Sequence, residues 1–229
     1  MSHSNLANVV PFRRSAASAA PSVSAKIFRA SAPGLGGTET SYSRDEDIYG
    51  ECEPAEYVYQ VVSGAVRTYK LLNDGRRQID AFHLSGDIFG LDAGHAHRVT
   101  AEAIIDTSVR IMKRRTLEAI AGTDAATACE LWRMTADELR RAQDHMLLLG
   151  RKNAAERVAA FLLEMDRRLS KAGMVALPMC RRDIGDYLGL TLETVSRTLS
   201  HLHDQAILSF SGARHIVLHD RARLVAMNA

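Results

Sequence analysis

The chain has 229 residues, of which 46% are hydrophobic and 24% charged. This composition is typical of globular proteins, which excludes collagen-like, purely coiled-coil and mostly disordered chains, and the length allows one large or two small domains. The three cysteines share no Cys-x-x-Cys spacing, which argues against disulfides or a thiolate metal site and favours a reducing, cytoplasmic compartment. No apolar run approaches the roughly 18 residues of a membrane helix, so we expect no membrane partner.

The net charge of +2 is an average over two different parts of the chain. Residues 151–229 carry 12 Lys and Arg against 8 Asp and Glu, a net charge of +4. Residues 1–150 carry 17 against 19, a net charge of −2. The basic excess weakly favours a nucleic-acid partner for the C-terminal part.

The first 118 residues divide into a tail and a β-rich region. Residues 1–40 end in a Pro- and Gly-rich stretch and are predicted to be a flexible N-terminal tail. Strands are predicted over 57–62, 65–72, 77–82 and 102–112, with a tight turn at Asn73-Asp74-Gly75. Short strands between glycine turns predict a β-roll or barrel over residues 41–118.

A long helix is predicted over residues 119–150. Its seam has the alternating four- and three-residue spacing of a coiled coil and consists of Ala128, Trp132, Thr135, Leu139, Ala142, Met146 and Leu149. This pattern favours a dimerisation helix, although the polar Thr135 weakens it and a helix packed on its own domain is the alternative. Cys129 neighbours the seam, so we expect it to be buried.

The segment 181–203 has the pattern of a helix-turn-helix, and it follows an amphipathic helix predicted over 154–169. Ile184 and Leu188 are the expected buried positions of the first helix, with a small Gly185 where the two helices cross. Gly189 occupies the turn, where glycine adopts a left-handed backbone at least cost. Leu190, Val195, Leu199 and Leu202 are expected to complete the shared core.

The second helix of this pattern would enter a DNA major groove with its N-terminal residues on base edges. Arg197 can donate two hydrogen bonds to guanine, Glu193 can accept one from cytosine, and Ser196 suits either role. Residues expected near the DNA backbone are Leu192, Thr194, Ser200, Arg181 and Arg182. The alternative is a plain helical hairpin with solvated charges, but the two glycines and the apolar spacing favour the DNA-binding interpretation.

A β-hairpin is predicted after this motif, with strands at 207–210 and 215–218. A hairpin in this place is a wing, and Arg214 at its tip would contact a phosphate or remain a solvated turn residue. The domain from 151 to 229 is thus a predicted winged helix-turn-helix. We find no Gly-x-Ser-x-Gly, P-loop, His-Glu-x-x-His or paired-carboxylate pattern, so we expect no enzymatic activity.

The order of β-roll, long dimer helix and winged helix-turn-helix resembles the Crp/Fnr family of bacterial transcription regulators. Residues 63–91 look like the roll of its Fnr/FixK branch, and residues 188–199 look like that branch's recognition helix, with Glu193, Ser196 and Arg197 in an E-x-x-S-R signature. The resemblance implies an α+β fold with a cyclic-nucleotide-binding-type β-roll. It also implies a homodimer on double-stranded DNA with a palindromic TTGA-N6-TCAA-type site. The implied role is activation of genes for low-oxygen respiration, denitrification or nitrogen fixation by recruiting RNA polymerase.

Three kinds of cofactor are weighed against the residues. Cyclic-nucleotide members hold the ribose through a Glu after a Gly, whereas Leu91 follows Gly90 here, and Arg98 is followed by Val99 rather than Ser. An iron–sulfur cluster needs N-terminal cysteines, and residues 1–51 contain none. His83, His95 or His97 could ligate a haem in principle, which leaves a haem- or ligand-gated regulator as the alternative. The leading expectation is a FixK-like regulator that needs no cofactor.

Cys180 suggests a second mode of control. It lies at the expected N-cap of the first motif helix, directly before Arg181 and Arg182. A helix N-terminus and two guanidinium groups favour a reactive thiol, and the family resemblance places this position near a DNA phosphate. We therefore hypothesise that oxidation of Cys180 blocks DNA binding, whereas the alternative is a capping residue of no further consequence.

Overall fold

The N-terminal half is a roll of eight short strands. The structure is a computed structural model that describes residues 37–169, 173–212 and 214–228. The strands are β1 (Thr38–Tyr42), β2 (Asp47–Tyr49), β3 (Tyr57–Ser63), β4 (Ala65–Leu71), β5 (Arg77–Leu84), β6 (Ile88–Phe89), β7 (Thr100–Ala103) and β8 (Thr107–Lys113). They form two antiparallel sheets with strand orders β1-β8-β3-β6 and β2-β7-β4-β5. Apolar side chains between the sheets, such as Tyr59, Val66 and Val109, make the core of the roll.

Two sequence-based boundaries in this half are wrong. Residues 38–40, assigned to the flexible tail, belong to β1, because they pair with β8 across a large gap in sequence. Residues 1–36 of the predicted tail lie outside the described residues. The strand predicted over 102–112 is two strands, β7 and β8, that belong to different sheets. The break at 104–106 escaped prediction because it contains neither glycine nor proline.

Three helices follow the roll: α1 (Arg114–Thr123), α2 (Ala125–Arg151) and α3 (Ala154–Leu169). The single helix predicted over 119–150 is therefore interrupted, because Asp124 is extended and caps the start of α2. Its carboxylate accepts hydrogen bonds from the backbone N–H groups of Ala126 and Thr127, at 3.3 and 3.0 Å. These bonds satisfy N–H groups that have no partner inside a new helix.

The C-terminal unit has the winged helix-turn-helix arrangement. Its elements are β9 (Met174–Ala176), α4 (Arg181–Leu188), α5 (Leu192–Asp204), β10 (Leu208–Phe210), β11 (His215–Leu218) and α6 (Arg221–Asn228). The predicted hairpin is present as β10 and β11, and β9 adds a third strand that the sequence did not predict, giving the order β10-β11-β9. Helix α6, also not predicted, packs against α3.

The roll and the C-terminal unit share one apolar core. Phe82 of β5 lies with its ring centroid 6.3 Å from Phe161 of α3 and 5.1 Å from Tyr187 of α4. Ile79 and Leu84 of the roll belong to the same buried cluster as the interior of the helix-turn-helix. The C-terminal unit is therefore packed directly on the roll.

Candidate nucleic-acid interface

The turn between α4 and α5 depends on Gly189. Its φ and ψ of 63° and 39° are left-handed, and its N–H donates to the carbonyl of Gly185. A residue with a side chain pays roughly 1–2 kcal/mol for this conformation. The structure thus confirms the turn predicted at Gly189.

Gly185 allows α4 to approach closely the backbone of the turn that leads into α5. A Cβ atom at this position would lie 2.6 Å from the carbonyl oxygen of Leu190, which follows Gly189 in the turn between α4 and α5. The N–H of Leu190 also donates to the carbonyl of Gly185 at 2.9 Å. The backbones touch here, so only glycine fits without a shift.

A continuous apolar core lies beneath both helices of the motif. The five predicted core positions with at most 3% of their surface exposed are Ile184, Leu188, Val195, Leu199 and Leu202. Leu190, predicted with them, is half-buried. Because this side of α5 is held against α4, its opposite side must face outward.

The outward side of α5 carries the predicted recognition residues, and we call Glu193, Ser196 and Arg197 the recognition face. Glu193 and Arg197 are exposed, and Ser196 is half-buried. A hydrogen bond from its own backbone N–H and one from the Thr191 hydroxyl hold the pKa of Glu193 below its usual range. Glu193 is therefore a carboxylate at neutral pH and can only accept hydrogen bonds.

Residues around the recognition face differ in how they are held. Leu192 and Ser200 are exposed, and Thr194 is half-buried, with its backbone N–H donating to the Thr191 hydroxyl at 3.2 Å. Thr191 thereby caps α5. These positions surround the recognition face, and the start of α5 among them is capped by a side chain of the same chain.

The three arginines expected near DNA have different surroundings. Arg182 is exposed, whereas the guanidinium of Arg181 lies 5.4 Å from the centroid of the Phe210 ring. Arg214 directly precedes β11, and its Nη1 donates to the carbonyl of Pro178 at 3.0 Å. Arg214 is thus turned toward the protein rather than extended from the wing.

Cys180 occupies the N-cap of α4, as predicted. The residue is exposed, and its backbone N–H donates to the Asp183 carboxylate at 3.0 Å. It borders a cavity of about 320 Å³ whose lining also includes Arg181, Phe210 and Arg214. An oxidant can therefore reach this thiol in the described chain.

The seam of α2 is uncovered in the single chain. Trp132, Leu139 and Met146 expose 77%, 59% and 64% of their surface. The smaller members Ala128, Thr135 and Ala142 are also exposed, and Leu149 is half-buried. The expectation that Cys129 is buried is wrong for the single chain, because it lies beside this uncovered face.

Asp183 is a buried charge that the sequence analysis missed. It lies in the first turn of α4 with only 3% of its side chain exposed, and it receives Arg67 and Arg77 from the roll. An acid three residues after an N-cap is a recognisable capping signal. No local signal, however, connects it with arginines more than a hundred residues earlier in the chain.

Known proteins match both halves of this arrangement. The cyclic nucleotide-binding domain matches residues 39–124, and the Crp-like helix-turn-helix domain matches residues 156–227. The nitrogen fixation regulation protein FixK of Azorhizobium caulinodans is 49% identical over 193 residues, which cover 82% of this chain and 78% of that protein. The structure of FixK2 from Bradyrhizobium japonicum is 72% identical with a TM-score of 0.83, covering 85% of this chain and 98% of that one.

The chain belongs to the Crp/Fnr family of transcription regulators. It is a DNA-binding regulator with a Crp-like helix-turn-helix, and members of this family act as dimers. The homologues that it resembles are regulators rather than enzymes, which supports a non-enzymatic role. None of the helices in the described ranges is long and apolar enough to cross a membrane.

The roll of this Crp/Fnr regulator contains a cavity of about 390 Å³ against α2. Its charged lining consists of Arg133 and Arg141 against five acids, Asp80, Asp87, Asp92, Asp137 and Glu138. Leu91 lies in this lining where a ribose-binding Glu would be needed, and Arg98 is not among the lining residues. A cyclic nucleotide is an anion, so the residues of this cavity do not fit it.

The three histidines weighed as haem ligands lie in different surroundings. His83 is buried and hydrogen-bonded to the Thr68 hydroxyl at 3.1 Å, and burial lowers its pKa. His97 is buried against Tyr49 and paired with Asp92 at 2.8 Å, whereas His95 is exposed at a separate cavity. Within the described ranges, no group of three or more His, Cys, Asp or Glu side chains is arranged to hold a metal ion.

Proposed function

We propose that this regulator is a homodimeric activator that recognises a palindromic TTGA-N6-TCAA-type DNA site. The observation that carries the proposal is the recognition face, where Glu193, Ser196 and Arg197 point outward from a helix held by a buried core. Arg197 donates to a guanine and Glu193 accepts from a cytosine amino group, while Ser196 contacts the neighbouring base. The FixK relatives are nitrogen fixation regulation proteins, which supports genes of nitrogen fixation as targets. Genes of low-oxygen respiration or denitrification as further candidates, and the recruitment of RNA polymerase, are part of the proposal.

The dimer forms along the seam of α2. Burial of Trp132, Leu139 and Met146 against a second copy removes large apolar surfaces from water, which is the main driving force of association. A twofold axis along this helix pair presents the two recognition faces to half-sites one helical turn apart, about 34–36 Å. The palindromic site follows from this symmetry.

Binding needs no small-molecule effector. The acidic lining of the roll cavity and Leu91 within it support this part of the proposal, because they disfavour the anionic ligand of the family's cyclic-nucleotide members. Activity then depends on how much protein the cell makes. Tight binding of the purified, metal-free protein to a TTGA-N6-TCAA duplex in air supports the proposal. Binding that requires added haem or nucleotide contradicts it.

The base contact is tested with Arg197→Ala. We expect a loss of about 1–3 kcal/mol in specific binding and a relaxed preference at one base pair. Arg223→Ala is the matched control, since it removes another exposed arginine, from α6 of the same unit. Equal effects of the two variants, with the same base preference, would contradict a contact through Arg197.

Oxidation of Cys180 blocks DNA binding in the proposed mechanism. Peroxide converts the thiolate to a sulfenate group with release of water, and a second equivalent gives a sulfinate, which is negatively charged. A negative group at the start of α4 repels the DNA backbone. We expect peroxide to abolish binding by wild type but not by Cys180→Ser, with Cys52→Ser as the control that remains sensitive. Equal sensitivity of wild type and Cys180→Ser would refute the mechanism.

A further inference from the structure

We propose that Asp183 is a positioning residue for DNA recognition. Held by Arg67 and Arg77 of the roll, it sets the angle at which the helix-turn-helix stands on the roll. It thereby sets the separation of the two recognition faces in a dimer and the half-site spacing that the regulator selects. The inference rests on the proposed dimer and its two half-sites.

The carboxylate of Asp183 joins the two halves of the molecule through separate oxygens. Oδ1 accepts from Arg77 at 2.6 Å and from Arg67 at 3.2 Å. Oδ2 accepts the backbone N–H of Cys180, the residue that caps α4. One buried side chain therefore links the first turn of the helix-turn-helix to two strands of the roll.

Each arginine is itself held in place. Arg67 has 8% of its side chain exposed and also donates to Glu102 at 2.5 Å and to Asp45 at 3.1 Å. Arg77 donates to Asp186, one turn further along α4, at 2.9 Å. Because the contacts engage two successive turns of α4, they restrict its rotation as well as its position.

The orientation of α4 passes directly to the recognition face. Gly185 lies between Asp183 and Asp186, the two residues of α4 that the arginines of the roll hold. The backbone of Gly185 lies so close to Leu190 that a Cβ would not fit. This contact couples the orientation of α5 to that of α4, because Leu190 lies in the short turn that leads into α5. A rotation of α4 on the roll therefore also displaces the recognition face of α5.

Ionic and apolar contacts have different roles at this junction. Phe82 packs on Tyr187 and Phe161, and such burial is strong but has no preferred direction. Arginine–carboxylate pairs have a defined geometry, whereas their net contribution to stability is small once desolvation is counted. The apolar contacts hold the roll and the C-terminal unit together. The ion pairs of Asp183 with Arg67 and Arg77 select one orientation among those that the apolar surface permits.

The test measures half-site spacing in the full-length chain. Wild type, Arg77→Gln and Asp183→Asn are each bound to duplexes whose half-sites are separated by about four to eight base pairs. Arg76→Gln is the matched control, because this adjacent arginine is 77% exposed and bonded to Asp74 within its own turn. The readout is the ratio of affinities between the preferred spacing and its neighbours. Unfolding changes the active fraction equally for all duplexes and leaves this ratio unchanged.

We expect wild type and Arg76→Gln to bind the duplex of the preferred spacing about tenfold or more tightly than its neighbours. Arg77→Gln and Asp183→Asn should each reduce this ratio of affinities several-fold. Arg77→Gln keeps the test decisive if Asp183→Asn fails to fold, since Arg77 is less buried. An unchanged ratio in Arg77→Gln would overturn the inference while leaving the proposed function intact. Failure of wild type to bind any of the duplexes would overturn both.

Discussion

Gly185→Ala tests whether the close approach of α4 and α5 is required for the motif. The added Cβ would lie 2.6 Å from the carbonyl oxygen of Leu190. Non-bonded heavy atoms pack favourably at about 3.5–4.0 Å, so α4 and the turn at Leu190 would have to separate by about 1 Å. The neighbouring atom belongs to the backbone and cannot rotate away as a side chain could.

The expected change in the stability of Gly185→Ala follows from two opposing effects. Overpacking of a tight contact costs about 1–3 kcal/mol. Replacing glycine by alanine within a helix returns up to about 1 kcal/mol. The net expectation is a destabilisation of about 1–2 kcal/mol, together with weaker DNA binding because α5 is displaced. Gly122→Ala in α1 is the control: it makes the same change within a helix, but nothing lies within 4 Å of a Cβ at that position. The difference between the two variants is therefore the steric cost at Gly185.

Urea unfolding of the two variants and wild type measures the difference. Gly122→Ala should be as stable as wild type or slightly more stable, and Gly185→Ala clearly less stable. DNA affinity should fall in Gly185→Ala alone. If Gly185→Ala matched Gly122→Ala in both measurements, the close contact at Gly185 would not constrain the motif.

Three further predictions concern the cap of α5, the seam of α2 and the half-buried His145 of α2. Thr191→Ala removes the side chain that caps α5 and should lower stability by about 1 kcal/mol, with Thr191→Ser retaining it, as urea unfolding can check. Leu139→Glu should dissociate the dimer in analytical ultracentrifugation, whereas Leu147→Glu, an equally exposed leucine outside the seam, should not. Burial and the nearby Arg157 lower the pKa of His145, so the unfolded chain binds the proton more tightly. Stability should therefore fall as pH drops below about 6.5. His145 stacks on Tyr187 with ring centroids 4.1 Å apart, and His145→Phe, which keeps an aromatic ring there, should reduce that loss in thermal melts. An unchanged pH profile would contradict this role of His145.

Local patterns in the sequence account for much of the fold. Helix α3 has the bounds predicted for it, and its apolar positions Phe161 and Leu162 are buried. The helix-turn-helix was predictable because Gly185 and Gly189 have backbone requirements that other residues do not meet. Such requirements are visible in a single sequence because they act within a few residues.

Features that depend on distant partners were not predictable in this way. Strand β9 has three residues, and only its pairing with β11 makes it a strand. The local sequence indicates that Asp183 is a capping acid, but not that it pairs with Arg67, which lies 116 residues earlier in the chain. Arg214 has the position of a wing contact, but the carbonyl of Pro178 determines where its guanidinium lies. In each case the deciding contact is tertiary.

The apolar core that Phe82 shares with Phe161 and Tyr187 makes the DNA-reading half hard to detach. A cut near Gly150 would leave Phe82 and Ile79 bare on one fragment and the two aromatic rings bare on the other. Both fragments would then expose apolar patches of the kind that promote aggregation. A chimaera that joins this winged helix-turn-helix unit to another sensor domain must therefore also include the surface of the roll on which the unit packs.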